Sequence, residues 1–465
     1  MPAFSAERMY TYGRSLRSHV AATTLAVTCA AAIFSCGGEA AGPNKNLLAD
    51  KWLKRANDGY RTADMDDAKL AVDEALKINP ASESARLLRG RIALAKLDFA
   101  DALKATEGMQ STEAHMIRGR AHWYAGDIER AADELDAMLR DPNVKDPWAK
   151  DVAQLARRGN GRKPFAMEGG VVAVTEMPQA GSLLVVQCEL EGENILALVA
   201  TGVAELTVDS ASRREPAWVN LRFADRIEVK DVPAITQDLS GLSKQLGAPI
   251  KALLGVNLLR HMHVTFDRRA AQFVVRREDP PAPPDATRVP LYYVRGGGML
   301  VRAGFSKKSD ALASLFIDTS TPYPMALSDE TWGLAGIPLT SLRGDPGLPP
   351  NYRAGIVPLV RVGSFDVPQV PAVQGAEMDD IKKRVDVDFG GILGAGFLMP
   401  FRVTFGDEGR FAWFETGPDT LVAPPGDKEP PQATPPVQTP PPAATLPALA
   451  PSAPPKAGVK KGLKP

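Results

Sequence analysis

Leu315-Phe316-Ile317-Asp318-Thr319-Ser320 is an apolar run that ends in an acid, a threonine and a small polar residue. An uncharged apolar run suits a strand buried on both faces. Asp, Thr and Ser then favour a turn, because each side chain can bond nearby backbone. The stretch therefore predicts a core strand that delivers a carboxylate to a tight bend. It decides the fold because the chain answers it elsewhere. Residues 252–266 and 391–405 overlay without a gap, and Leu254, Gly255, Leu259, Val264, Thr265 and Phe266 recur as Leu393, Gly394, Leu398, Val403, Thr404 and Phe405. A duplicated unit requires a second strand and turn ahead of the first copy. Leu198-Val199-Ala200-Thr201-Gly202-Val203 supplies it, with Ala200 where the other turn has Asp318.

An apolar strand into Asp-Thr-Gly/Ser, followed by Ile/Leu-Leu-Gly before a Val-Thr-Phe strand, resembles the retropepsin-like aspartic proteases. The resemblance covers two tandem lobes, 165–278 and 286–416. It implies that Asp318, Thr319 and Ser320 form the catalytic turn of the second lobe, and that Ala200, Thr201 and Gly202 are its degenerate counterpart in the first. Such enzymes use two carboxylates sharing one proton: one draws a proton from water while the other polarises the scissile carbonyl. Alanine has no proton to give or take. A lone Asp318 also loses the like-charge coupling that sets two carboxyls to different tasks. Loss of a positioned acid or base costs about 10²–10⁴-fold in rate. Glu205 and Asp209 lie past the turn and would have to reach back to replace the missing acid. The expected function is binding of an extended peptide or protein ligand by strand-like pairing, with peptidase activity lost or weak. Two alternatives stand beside it. One is an active aspartic endopeptidase using Asp318, formed by dimerisation of second lobes; the first lobe competes against this at far higher effective concentration. The other is a structural scaffold.

Around these motifs the pattern is strand chemistry: Val, Leu and Ile runs punctuated by Gly and Pro. Val232-Pro233-Ala234-Ile235 is matched by Val370-Pro371-Ala372-Val373, and Asp279-Pro280-Pro281-Ala282-Pro283-Pro284-Asp285 is a stiff connector between the lobes. Gly296-Gly297-Gly298 reads as a hairpin turn, since no Lys-Ser/Thr follows as in a phosphate loop. From 45 to 160 the periodicity is helical and rich in alanine. Ala68, Ala75 and Pro80, then Gly90 with Phe99-Ala100-Asp101-Ala102, then Gly119 with Tyr124-Ala125-Gly126-Asp127 resemble tetratricopeptide repeats. Trp123 and Tyr124 read as core residues. The expected fold class is multidomain α + β: an N-terminal α-helical tetratricopeptide-like repeat domain, then a tandem two-lobe all-β acid-protease-like domain.

The ends of the chain carry different signals. Arg8, Arg14 and Arg17 precede the small, apolar run 20–35, which is a secretory pattern. Ile33-Phe34-Ser35-Cys36-Gly37 then looks like a bacterial lipobox, so 1–36 is read as a signal and lipoprotein segment with Cys36 as the lipidated residue. Gly37 favours outer-membrane sorting, by resemblance to proteobacterial lipoproteins. The expected localisation is the cell envelope, with a membrane reached through the lipid anchor. The Pro- and Ala-rich stretch 417–465 reads as a disordered tail.

Composition narrows the partners. Lys+Arg and Asp+Glu balance at 55 each, which offers no electrostatic footprint for nucleic acid. Cys29 and Cys36 fall in the leader, so Cys188 is alone and a disulfide framework is excluded. His261 and His263 stand at strand spacing with no acidic or thiol neighbour in sequence, and neither a metal nor a cofactor is expected.

Overall fold

The computed structural model describes residues 45–416 apart from 285, 296 and 308. Cys36 with the 1–36 segment, and the 417–465 tail, lie outside the described residues.

Among the described residues seven helices come first: α1 (Lys45–Arg61), α2 (Met65–Ile78), α3 (Glu83–Ala95), α4 (Phe99–Ala105), α5 (Thr112–Tyr124), α6 (Ile128–Leu139) and α7 (Pro147–Arg157). Their starts are written in the sequence. Asp64, Ser82, Asp98, Asp127 and Asp146 each accept a backbone N–H of the first turn, meeting donors that helical bonding leaves free. Close helix contact needs small residues. A Cβ on Gly119 would stand 2.8 Å from Leu135 Cδ2, so without glycine there the Leu135 side chain would have to shift for α5 to meet α6 as it does.

The first half of the β region contains β1 (Ala166–Gly169), β2 (Val172–Glu176), β3 (Gln179–Ala180), β4 (Leu183–Leu190), β5 (Glu193–Val199), β6 (Leu206–Asp209), β7 (Ala217–Phe223), β8 (Ile227–Gln237), α8 (Ser240–Leu246), β9 (Ile250–Leu254), α9 (Val256–His261), β10 (Thr265–Asp267) and β11 (Gln272–Arg276). The second contains β12 (Thr287–Pro290), β13 (Tyr292–Tyr293), β14 (Met299–Gly304), β15 (Leu312–Asp318), β16 (Met325–Leu327), α10 (Asp329–Leu334), β17 (Arg353–Val362), β18 (Phe365–Gln374), α11 (Asp379–Val385), β19 (Gly391–Gly394), α12 (Ala395–Leu398), β20 (Phe401–Gly406) and β21 (Phe411–Thr416). In each half strands close into a ring. The first runs β4-β5-β9-β6-β8-β7 and back to β4; the second runs β14-β15-β19-β16-β18-β17 and back to β14. Equivalent strands therefore make equivalent pairs: β5 lies parallel to β9, and β15 parallel to β19.

A third sheet has the order β12-β21-β20-β10-β11-β2 and draws three strands from each half. Its centre is the pair Thr265↔Thr404, whose hydroxyls lie 2.8 Å apart. These are the same two threonines that the sequence overlay makes equivalent, so a pseudo-twofold axis passes between them.

The expected class, a separate helical domain followed by an all-β one, is corrected by three observations. The described helices and strands belong to one compact unit. The β region carries α8 to α12 and is not all-β. The helices also do not complete their own core. Val72, Leu88 and Ile92 share one apolar cluster with Leu300, Phe316 and Phe389 of the second half, while the cluster around Trp123 and Leu135 takes in Trp218 and Ile235 of the first. Three helix pairs leave apolar faces uncovered, and these faces are buried against the strands. Ser314 Oγ donates to Thr62 O at 2.9 Å and Trp218 Nε1 to Leu155 O at 2.9 Å, tying both halves to the helical layer.

Candidate functional site

β5 and β15 are buried along most of their length, ending in Ala197-Leu198-Val199 and Leu315-Phe316-Ile317. Each enters the core and is followed by a turn that crosses the end of β9 or β19. Register fixes the exits: Asp318 sits opposite Gly394, and the Ala200 N–H donates to Leu254 O at 3.0 Å.

The two turns face each other and interlock. Thr201 Oγ1 donates to Ile317 O at 2.8 Å and accepts the Thr319 N–H at 3.0 Å. Reciprocally, Thr319 Oγ1 donates to Val199 O at 2.6 Å and accepts the Thr201 N–H at 3.1 Å. Both threonines are fully buried. The hydroxyls thus bond buried backbone groups of the opposite half.

Asp318 emerges beside this lock, half-buried. Its Oδ1 accepts from Ser320 Oγ at 2.6 Å and from the Ser320 N–H at 3.0 Å. The carboxyl also packs on Gly202 of the opposite turn, where a Cβ would lie 2.9 Å from its Cγ and 3.1 Å from Oδ2. Glycine there is what lets the first-half turn approach so closely. Ala200, the positional counterpart of Asp318, is almost wholly buried and contributes a methyl group. Of the residues singled out in sequence, the structure thus brings Ala200, Thr201, Gly202, Asp318, Thr319 and Ser320 together.

The acids considered as substitutes are committed elsewhere. Asp209 accepts backbone N–H groups of Ala211 and Leu239 at 3.4 Å and stands 3.5 Å from Lys251 Nζ. Glu205, 1% exposed, turns toward the helical layer: Oε1 accepts from Trp123 Nε1 at 3.0 Å and Trp148 Nε1 at 3.3 Å, and Oε2 from Asn257 Nδ2 at 3.1 Å. Burial pushes the Glu205 carboxyl above the usual range, and the three donors and nearby Arg260 offset part of that rise. Chemically, the cleft offers one carboxylate with both of its short donors on one oxygen. It can accept hydrogen bonds from an extended backbone, but it has no second carboxyl in the counterpart position to share a proton.

The Glu205 network escaped the sequence reading, although Trp123 is indeed a core residue at 4% exposed. The signals available were a glutamate between Ala204 and Leu206 at the head of a buried strand and an arginine, Arg260, in an otherwise apolar segment. His263 also has a partner that its sequence neighbours did not suggest: Asp279 Oδ1 lies 2.7 Å from its Nδ1. His261 stacks on Phe165 at 4.4 Å between ring centres, and burial pushes its pKa well below the ordinary value. Among the described residues no helix is long and apolar enough to cross a membrane.

No family model matches the chain, and no curated protein does. Solved structures give weak, partial likenesses. The tetratricopeptide-repeat domain of Arabidopsis OM64 is similar over 24% of this chain and 98% of its own, at 19% identity and TM-score 0.23. A retropepsin-like aspartic protease from Rickettsia conorii is similar over 28% of this chain and 90% of its own, at 16% identity and TM-score 0.21. Soybean basic 7S globulin is similar over 55% of this chain and 96% of its own, at 13% identity and TM-score 0.36.

Proposed function

We propose that this chain is a cell-envelope lipoprotein with a degenerate retropepsin-like aspartic protease site, which binds an extended peptide while its peptidase activity is lost or weak. The observation that supports it is the pairing of Asp318 with Ala200 across the Thr201–Thr319 lock, while Glu205 and Asp209 are held by other partners. A carboxylate between two lobes keeps the polar recognition of a backbone amide, whereas proton transfer to and from water needs the absent group. An endopeptidase built from two second lobes of different molecules would first have to break that lock and the β10–β20 pairing in each chain. The envelope reading rests on the basic leader and on Ile33-Phe34-Ser35-Cys36-Gly37.

The test is a peptidase assay from pH 3 to pH 7 on the chain and on Asp318→Asn, paired with a screen of immobilised peptides. The expected result is binding of extended peptides, weakened by Asp318→Asn, with no cleavage above that of the variant. Robust cleavage abolished by Asp318→Asn refutes the reading in favour of a working enzyme. A screen without binders favours a scaffold.

A further inference from the structure

A cavity of about 570 Å³ lies between α3, α5 and the loop before α7 on one side and the start of α9 with Tyr293, Val294, Arg295 and Gly297 on the other. Asp318 is not among its lining residues. Its size is that of a site for a small organic molecule.

The feature that asks for a ligand is Arg120. It is 4% exposed and lines the cavity, with its guanidinium stacked 4.0 Å from the centre of the Trp148 ring. Nη2 donates to Asp146 Oδ2 at 2.9 Å and the Tyr124 hydroxyl lies close enough to interact with the guanidinium, but neither Nε nor Nη1 has an acceptor in good hydrogen-bond geometry. Unmet donors on a buried guanidinium are costly. Two other cations of the cavity have nearer partners: Arg260 donates to Asn257 Oδ1 at 2.9 Å and to Tyr124 O at 2.6 Å, and Arg91 Nε lies 2.6 Å from Glu113 Oε1. Asp146 is shared further, because its Oδ1 accepts the Ala149 N–H at the head of α7. One carboxylate thus serves a helix cap and a guanidinium. Leu94, Met116, Met138, Val144 and Val256 give the wall its apolar area, and Arg91, Glu113, Lys145, Arg295 and Asp386 also line it.

We infer that this cavity binds a small monocarboxylate with an apolar body, its head on one free edge of the Arg120 guanidinium and its hydrocarbon on the Met and Leu walls. A single anionic head matches one guanidinium with open donors, and the apolar lining accounts for the remainder of the volume. The site is separate from the Asp318 cleft and does not rest on the reading of that cleft.

Octanoate is the probe, with octanamide as its uncharged counterpart. Both are titrated into the full chain by calorimetry, with tryptophan fluorescence reporting Trp148. Octanoate is expected to saturate one site, change the fluorescence, and bind at least about tenfold more tightly than octanamide, the difference carried by a charge-assisted hydrogen bond. Arg120→Gln should erase that preference, while Asp318→Asn leaves it intact. Val144→Trp, which fills the cavity without touching the charge, should abolish octanoate binding in a chain with unchanged circular dichroism. It keeps the test decisive if Arg120→Gln fails to fold. Equal binding of octanoate and octanamide, undiminished binding to Val144→Trp, or no binding at all, which would leave Arg120 to solvent only, overturns the proposal.

Discussion

Ala200→Asp restores the second carboxyl, and its consequences follow from the close approach of the two turns. Gly202 already lies against the Asp318 carboxyl, so by the pseudo-twofold relation the introduced group comes within about 4 Å of it, inside the range where like charges couple. At that separation and an effective dielectric constant of about 20, the repulsion of two carboxylates is about 4 kcal/mol, equivalent to about three pKa units on one of them. Ser320 gives Asp318 a hydroxyl and an N–H, whereas Gly202 offers no hydroxyl, so the shared proton settles on the first-half carboxyl. Its folded pKa is then raised above the unfolded value of about 3.9. A raised carboxyl pKa favours the folded state below the unfolded value, and that benefit is lost as pH climbs through the folded value. Relative to the parent chain, Ala200→Asp should therefore be least destabilised near pH 4 and lose up to about 4 kcal/mol by about pH 7. Thermal melts of both chains across pH 4 to 8 measure this, and a peptidase assay at acid pH should show a gain of about 10²-fold or more over Ala200. A melting difference that does not change with pH refutes the juxtaposition of the two groups, whatever the activity.

Other outcomes follow from individual contacts. Thr201→Val removes the acceptor of the Thr319 N–H and a donor to the Ile317 carbonyl in a fully buried place, so urea denaturation should show a loss of about 1–3 kcal/mol. Trp123→Phe removes one of the three donors on Glu205; it should cost about 1.5–3 kcal/mol at neutral pH. The folded pKa of Glu205, already raised by burial, goes higher still, so the loss of stability with rising pH in melts should become steeper than in the parent. Cys188 is buried and desolvation pushes its thiol up to about 12. Peptide mapping after maleimide treatment at pH 8 should find it unlabelled in the native chain and labelled in denaturant.

The parts legible in sequence were those carried by local pattern and by duplication. The apolar run into Asp318 and the gapless copy around Leu254 and Leu393 announce equivalent strands and turns, because strand burial and turn chemistry act within a few residues. Helices ahead of strands were visible in the same way, from the periodicity of stretches such as 128–139. What could not be read was which surface covers which. Val72 and Leu88 look like ordinary helix core, and nothing near them in sequence says that the apolar faces of α2 and α3 meet Phe316 and Phe389. Glu205 looks like a solvated acid until two indoles from helices more than fifty residues earlier converge on it. His263 finds Asp279 because the chain doubles back through β11. Such pairings are set by tertiary packing and leave no period of their own.

The helical layer touches both halves of the β region, α2 and α3 on one and α6 and α7 on the other. It acts as a brace bolted across two jaws. Rotating the barrels apart to admit a guest would tear Trp218 from Leu155 or Ser314 from Thr62. Entry of a guest to the cleft would therefore fall to loops and side chains, on the nanosecond-to-microsecond scale of such motions rather than the slower swing of hinged domains.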